Sequence, residues 1–499
     1  SRLDGIPLAI ELAAARVSAL GVEEIARRLD DRFRLLTAGS RAALPRQQTL
    51  RASLDWSHAL LTTSEQTLLR RLAVFSGGFP IDAVEAIVSS AIPTTAGTLA
   101  RADAIATLAS LVDKSLVHAD EQEGESRYRL LETVRQFAEE KLREAGEVGA
   151  VCDAHLAWCT DLAAHAATRK YRIGRREAMQ RLEQELDNLR GALEWSMADP
   201  ARVAAGLNLA GALYDFWRRR GHLRDGRRYL RELLTVPAGS DNGHARAIAL
   251  LSLGHLESMT GNAAVAREHL REAVARLQET GFSIELGRAL TQLALANLLI
   301  GDVEEAAGLW SDLLKRSREA GDFDSEASAC YFLGIVTMVG GDLTEATCLL
   351  ERSLVIRQDY SDDEANLAYS VFELGHADLL AGDHAAATRR MRESLRFWHG
   401  FGDPMGVAIA LDGLAWVTAD RGQIRKATHL AAAASAQRQM VGSTILPGHK
   451  ELLDATLART RSDLGEDEWN RAWAEGQALT LEAAVAYALA DPAEDRRDN

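Results

Sequence analysis

Six glycines, Gly221, Gly261, Gly301, Gly341, Gly382 and Gly422, follow one another at steps of 40 or 41 residues. A period held that tightly marks a stacked array, in which each unit buries its apolar face only against its neighbours. The segments they open are alike: Gly-Asn-Ala-Ala-Val-Ala from Gly261, Gly-Asp-Val-Glu-Glu-Ala from Gly301, Gly-Asp-Leu-Thr-Glu-Ala from Gly341. Seven residues before each glycine stands a small or aromatic residue, Tyr214, Gly254, Ala294, Gly334, Gly375 or Ala415. Five residues after it stands Gly226, Ala266, Ala306, Ala346, Ala387 or Ala427, and nine after it Leu230, Leu270, Trp310, Leu350, Met391 or Ala431.

Small positions on two facing helices let their axes approach, and the larger residues at the third position serve as core knobs. The pattern is that of tetratricopeptide-like helix pairs over 201–440, with each ladder glycine at the turn, where a left-handed backbone is cheap. Asp302, Asp342 and Asp383 follow their glycines as expected helix caps. A period near 40 implies longer helices or loops than the commonest version of this repeat. Residues 441–490 read as a degenerate capping repeat, which gives such an array a polar end. The charged stretch 491–499 reads as disordered.

With 499 residues, several domains or a solenoid are expected. A net charge of -15 argues against a chain whose main business is holding phosphate backbones. The cysteines, Cys152, Cys159, Cys330 and Cys348, lack Cys-x-x-Cys spacing and read as reduced packing residues. No run of some eighteen apolar residues suggests a membrane span and no signal peptide is visible, so a cytoplasmic location is expected.

Upstream of the array, residues 45–145 have a different character. Helical periodicity runs through Thr49 to Leu60, Thr63-Ser64-Glu65 caps a helix carrying Leu68, Leu69, Leu72 and Phe75, and further helices are expected over Ile81 to Val88 and Ala104 to Lys114. A short hairpin follows, Ser115 to His118 paired with Arg127 to Leu131 across an acidic turn, and then a helix over Glu132 to Glu144. This order is that of a winged helix. Residues 146–200 form a helical bridge. The fold class expected is therefore all-α with a minor β wing: a winged-helix domain followed by a tetratricopeptide-like α-solenoid.

Several segments carry a resemblance. Gly-Ile-Pro-Leu-Ala-Ile-Glu-Leu-Ala-Ala-Ala-Arg at Gly5 to Arg16, Thr-Leu-Arg-Ala-Ser-Leu-Asp-Trp-Ser at Thr49 to Ser57, Leu-Val-Asp-Lys-Ser-Leu-Val at Leu111 to Val117 and Tyr-Arg-Leu-Leu-Glu-Thr-Val-Arg-Gln-Phe-Ala at Tyr128 to Ala138 resemble bacterial STAND-class signalling ATPases. These are LuxR-type and related actinobacterial transcriptional regulators with an NB-ARC-like core. Asp187 to Trp195 and Arg219 to Leu223 extend the match over nearly the whole chain. The resemblance implies that residues 1–40 end the helical lobe of such an ATPase and that Pro7 lies against the adenine. It also implies that the winged helix closes over the diphosphate through a Met-His-Asp motif. That motif corresponds here to Leu130, Leu131 and Glu132, with the acidic position kept in kind and the histidine absent.

Phosphate cradling needs a glycine-rich loop with a lysine, and no Gly-x-x-x-x-Gly-Lys-Ser/Thr occurs in these residues. No catalytic constellation is present either, so the chain is expected not to be an enzyme and to hold no cofactor. ATP or ADP is expected only of a longer parent protein, whose ATPase core would be a partner of this chain.

For the array, the expected partner is a protein or peptide effector in a groove lined by the first helices of successive pairs. Residues three before and one after the small positions give Tyr331, Phe372, His376, Asp412 and Trp416, with Tyr369 and His255 nearby. The basic runs Arg218-Arg219-Arg220 and Arg227-Arg228 read as solvated faces. His155 shares a helical face with Cys152 and Cys159, but three candidate ligands without a fourth read as core packing, and no metal is expected. Between Ser1 and Ala150, 18 Lys and Arg face 21 Asp and Glu, and the wing carries Asp120, Glu121, Glu123 and Glu125. Carboxylates there repel phosphates, so an intramolecular clasp is expected ahead of direct DNA readout. Two alternatives are a free-standing scaffold that uses the same groove and a DNA-binding regulator that uses the wing.

Overall fold

The computed structural model describes residues 51, 54–89, 101–122, 125–168, 172–237, 243–279, 283–360, 364–441 and 445–490. Pro7, the 1–40 segment, Glu123 and the 491–499 tail lie outside the described residues. Two compact units emerge, one drawn from Ser1–Leu162 and Glu183–Trp195, the other from Ala163–Leu182 and Ser196–Asn499.

In the first unit, α1 (Thr63–Leu72) opens with a reciprocal cap. Thr62 Oγ1 accepts from Glu65 N–H at 3.3 Å while Glu65 Oε2 accepts from Thr62 N–H at 2.7 Å, which satisfies two donors that a helix start otherwise leaves unpaired. After α1 come β1 (Phe79–Pro80), α2 (Ile81–Ser89), α3 (Arg101–Asp113), β2 (His118–Gln122), β3 (Glu125–Arg129) and α4 (Glu132–Glu144). The strands form an antiparallel sheet in the order β1-β3-β2, with Phe79 opposite Tyr128 and Asp120 opposite Arg127. The wing hairpin therefore lies within 118–129, across the acidic stretch expected to be its turn. The short strand β1 is not evident from the sequence. Its Pro80 is tolerated because β1 is an edge strand.

The core of this unit is Leu68, Leu69, Leu72, Phe75, Phe79, Val84, Leu108, Leu111 and Phe137. Among the helices only partly in this unit are α5 (Val148–Thr168) and α7 (Leu186–Met197). From α7, Asn188 accepts from Ser76 N–H at 2.8 Å and donates to Gly78 O at 2.8 Å. It thereby pins the Gly77-Gly78 turn ahead of β1. Glu147, just before α5, accepts from Arg70 and Arg71 at 2.7 and 3.0 Å.

The second unit is the repeat array. After α6 (Arg172–Gln184), which spans both units, come α8 (Val203–Ala212), α9 (Tyr214–Arg220), α10 (Leu223–Thr235), α11 (Gly243–Met259), α12 (Ala263–Gln278), α13 (Ile284–Leu299) and α14 (Val303–Ala320). They continue with α15 (Phe323–Val339), α16 (Leu343–Tyr360), α17 (Glu364–Leu380), α18 (His384–Phe401), α19 (Pro404–Asp420) and α20 (Ile424–Val441). The ladder glycines sit between the helices of each pair, with φ from 76° at Gly422 to 93° at Gly301. A side chain there would be strained. Asp342 and Asp383 cap their helices through Glu345 N–H and Ala386 N–H, whereas Asp302 makes no such bond.

The small positions are required by contact. A Cβ on Gly254 would lie 2.5 Å from Leu270 Cγ, and one on Gly334 would lie 2.8 Å from Leu350 Cγ, so each small residue receives the knob of its own pair. Ala266, Ala306, Ala346, Ala387 and Ala427 are fully buried, as are Leu230, Leu270, Trp310, Leu350 and Met391. The 441–490 segment is not one helix pair but three helices, α21 (Pro447–Leu464), α22 (Glu466–Gln477) and α23 (Leu481–Leu489). Their Leu453, Ala484, Val485 and Ala488 join the core built from α17 to α20.

The first and last pairs also touch. Val441 lies 3.8 Å from where a Gly221 Cβ would stand, and Arg220 Nη1 lies 3.6 Å from the equivalent point on Gly402. Arg218 and Arg219 are accordingly buried, paired with Asp215 at 3.0 and 2.8 Å, and are not the solvated face expected of them.

Candidate functional site on the inner face of the array

Helices α15, α17 and α19 contribute their small-position faces to one recess of about 70 Å³, lined by Tyr331, Tyr369, Glu373, Met405, Ile409, Asp412 and Trp416. Arg438 of α20 and the segment Ile445, Leu446 and His449 complete it. The volume has room for a few water-sized atoms, such as those of a side chain or small ion.

Glu373 is the electrostatic centre. Its carboxylate, 1% exposed, faces His449 Nε2 at 3.1 Å and His376 Nδ1 at 3.4 Å and accepts from Tyr331 Oη at 3.4 Å. Burial disfavours the charged carboxylate, but His449 and His376 outweigh it and hold Glu373 down at about 2. Burial likewise opposes charge on His449, yet Glu373 prevails and raises the imidazole above its ordinary value. Opposite them, Asp412 pairs with Arg438 through Oδ2, while its buried Oδ1 has no hydrogen-bond partner. Burial pushes Asp412 up to about 6 despite Arg438. The rings of Trp416, His376 and His449 lie 5.4 Å from one another, and Phe372 touches Trp416 at 5.9 Å.

Of the seven groove candidates, Tyr331, Tyr369, Asp412 and Trp416 line this recess, and His376 lies beside it through Glu373. Phe372 is fully buried against Trp398 and Trp416, beneath the surface instead of on it. His255 stands apart, hydrogen-bonded to Tyr214, and burial followed by the Arg218 charge lowers it to about 3. Arg218 also lies near Tyr369, whose phenol burial pushes up while the Arg218 charge pulls it down, so the first and fifth pairs meet on this face. Sequence reasoning missed Glu373, Arg438 and His449. Glu373 is three residues before His376 on one helix face, a usable signal. The other two come from segments whose return to this face has no local signature.

The segment before α21 occupies part of the inner surface. Leu446 is extended, at φ -59° and ψ 144°, and packs against the cores that hold Tyr331 and Phe332. A Cβ on Gly448 would lie 3.2 Å from Val339 Cγ2.

In the first unit, Glu132 begins α4 and is held by Arg135 through two bonds of 2.8 and 2.9 Å, with Gln136 at 3.2 Å. The wing pairs Asp120 with Arg129 at 2.9 Å. His155 packs among Phe75 and Trp158, where burial lowers it to about 4, and Cys159 Sγ lies 3.7 Å from its Nε2.

Residues 61–143 match the family of winged helix-turn-helix domains. This segment is a winged helix. A Mycobacterium tuberculosis protein provisionally named an HTH-type transcriptional regulator is 38% identical over 400 residues, which cover 79% of this chain and 44% of that protein. An uncharacterized protein of the same species is 48% identical over 151 residues, 30% of this chain and 37% of its own length. The chain thus spans less than half the length of these relatives. A Pyrococcus horikoshii STAND protein with a tetratricopeptide repeat sensor aligns with 96% of this chain and 73% of its own, at 14% identity and a TM-score of 0.42. No helix among the described residues is long and apolar enough to cross a membrane. Behind the winged helix, the array is a tetratricopeptide-like α-solenoid, as its period implies.

Proposed function

We propose that this chain is the regulatory and protein-interaction part of a STAND-type signalling ATPase that acts as a transcriptional regulator. The array senses a protein or peptide effector on its inner face, and the winged helix serves as an intramolecular clasp for an NB-ARC-like core of LuxR type. The observation that carries this reading is the recess. It combines an unpartnered Asp412 oxygen, phenol and indole edges and an apolar floor, and an extended stretch of the chain itself already lies beside it. An extended peptide with an apolar residue before a proline has the chemistry to take that place.

ATP or ADP belongs, on this reading, to the core of the longer protein, with Pro7 and Glu132 facing it. The winged helix favours a clasp over DNA readout because Asp120 and Glu121 are exposed on its wing.

Tryptophan emission tests the sensor half. A synthetic peptide spanning Ser443 to Lys450, added to the chain, should compete with the internal segment and shift Trp416 emission. Trp416→Phe should abolish that shift, and emission unchanged by millimolar peptide refutes an exchangeable inner face. For the clasp half, duplex DNA is titrated at low and high salt. Affinity that falls steeply with salt supports the DNA-binding alternative instead.

A further inference from the structure

Glu373 and His376 lie three residues apart on α17, and His449 reaches them from the start of α21. Their donor atoms, one carboxylate oxygen and two imidazole nitrogens, all fall within 4.8 Å of one another. From the one carboxylate oxygen, Glu373 Oε2, the separations are 3.3 Å to His449 Nε2 and 3.4 Å to His376 Nδ1. Ligand atoms placed tetrahedrally about zinc at 2.0–2.1 Å are separated by about 3.3 Å, so two of the three edges already have the required length. Only the gap between the imidazoles has to close, by turning a ring. We infer that Glu373, His376 and His449 form a binding site for a zinc-type divalent ion, which fastens α21 to α17.

The donor set decides the class of ion. Two nitrogens and one oxygen suit zinc and its first-row neighbours, whereas calcium and magnesium take oxygen ligands in larger numbers. All three residues are buried, which distinguishes them from a surface acidic cluster. A fourth position is available toward the recess, where Asp412 presents its unpartnered oxygen and can hold a bound water. Hydrogen bonds already join the three residues in the absence of metal, so the fold does not depend on the ion. The inference is independent of the sensor reading, since a scaffold with no effector could carry the same ion.

The test uses the purified chain stripped with a chelator. Zinc is titrated calorimetrically, and cobalt is titrated while its visible d–d bands are followed. One equivalent should bind, with the intense cobalt bands of a four-coordinate site, and zinc should raise the melting temperature. His449→Gln and His376→Gln each keep a polar group of similar reach and should weaken zinc at least tenfold, as circular dichroism confirms their fold. Cys330→Ser with Cys348→Ser should leave binding unchanged. Absence of a stoichiometric zinc site overturns the inference. So does affinity equal to that of the unmodified chain in both folded histidine variants, or affinity lost only in the cysteine variant.

Discussion

His449 Nε2 lies 3.1 Å from Glu373 Oε1, a buried pair whose members are 76 positions apart in the chain. The contact fixes where the chain goes after the last ladder repeat. In metal-free protein its contribution to stability depends on pH from both sides. Glu373 is depressed from 4.5 to about 2, so its share is complete above 4.5 and is lost as pH falls toward 2. His449 is raised from 6.5, so its share is complete below 6.5 and is lost as pH rises through the folded value. Urea unfolding should therefore show a stability loss on the alkaline side that His449→Gln removes.

Glu373→Gln leaves His449 buried without its anion. Breaking a buried pair by removing one partner costs about 3–5 kcal/mol, and the urea midpoint should fall accordingly.

Two glycine substitutions separate backbone strain from crowding. Gly301→Ala meets open space but at φ 93°, so it should cost about 1–2 kcal/mol with little change elsewhere. Gly254→Ala drives its methyl toward Leu270 and should cost about 1–3 kcal/mol, with lost hydrogen-exchange protection in both α11 and α12.

In the winged helix, Glu65 accepts from Ser110 and Lys114 while also completing the cap with Thr62. Burial works against its charge, but these bonds hold it at about 2, so its stabilisation is complete above 4.5 and fades toward pH 2. Glu65→Ala should cost about 2–3 kcal/mol at neutral pH and flatten the acid limb of the unfolding profile.

Phe372→Ala should behave as a core deletion, costing about 3–5 kcal/mol in thermal or urea unfolding, because the ring is buried between Trp398 and Trp416. Tyr369→Phe should leave stability within about 1 kcal/mol, since it removes only the phenol oxygen and keeps the ring packed against Trp398.

What could be read from the sequence follows the range of the forces involved. The glycine ladder and its knobs are local, repeating features, so the helix pairs were legible from spacing alone. Tyr331, Asp412 and Trp416 were placed on one face by the same arithmetic, with Tyr369 nearby. His449 and Arg438 were not, because a chain that leaves the array and folds back onto it breaks the period. The buried Arg218 and Arg219 looked like a solvated run because Tyr369, whose phenol feels both charges, lies more than three repeats away. Strand β1 escaped notice because Phe79-Pro80 carries the chemistry of a turn and pairs with Tyr128 and Arg127, nearly fifty residues on.

The contact between the turn at Gly221 and Val441 alters how such an array should respond to stress. An open stack can fray from either end, and a repeat can be deleted from it with only a local penalty. Once the opening turn rests on the closing helix, neither end is free, and removing any one repeat leaves the seam out of register. Loss of the first or the last pair should therefore expose the seam on the other, so that their hydrogen-exchange protection falls together.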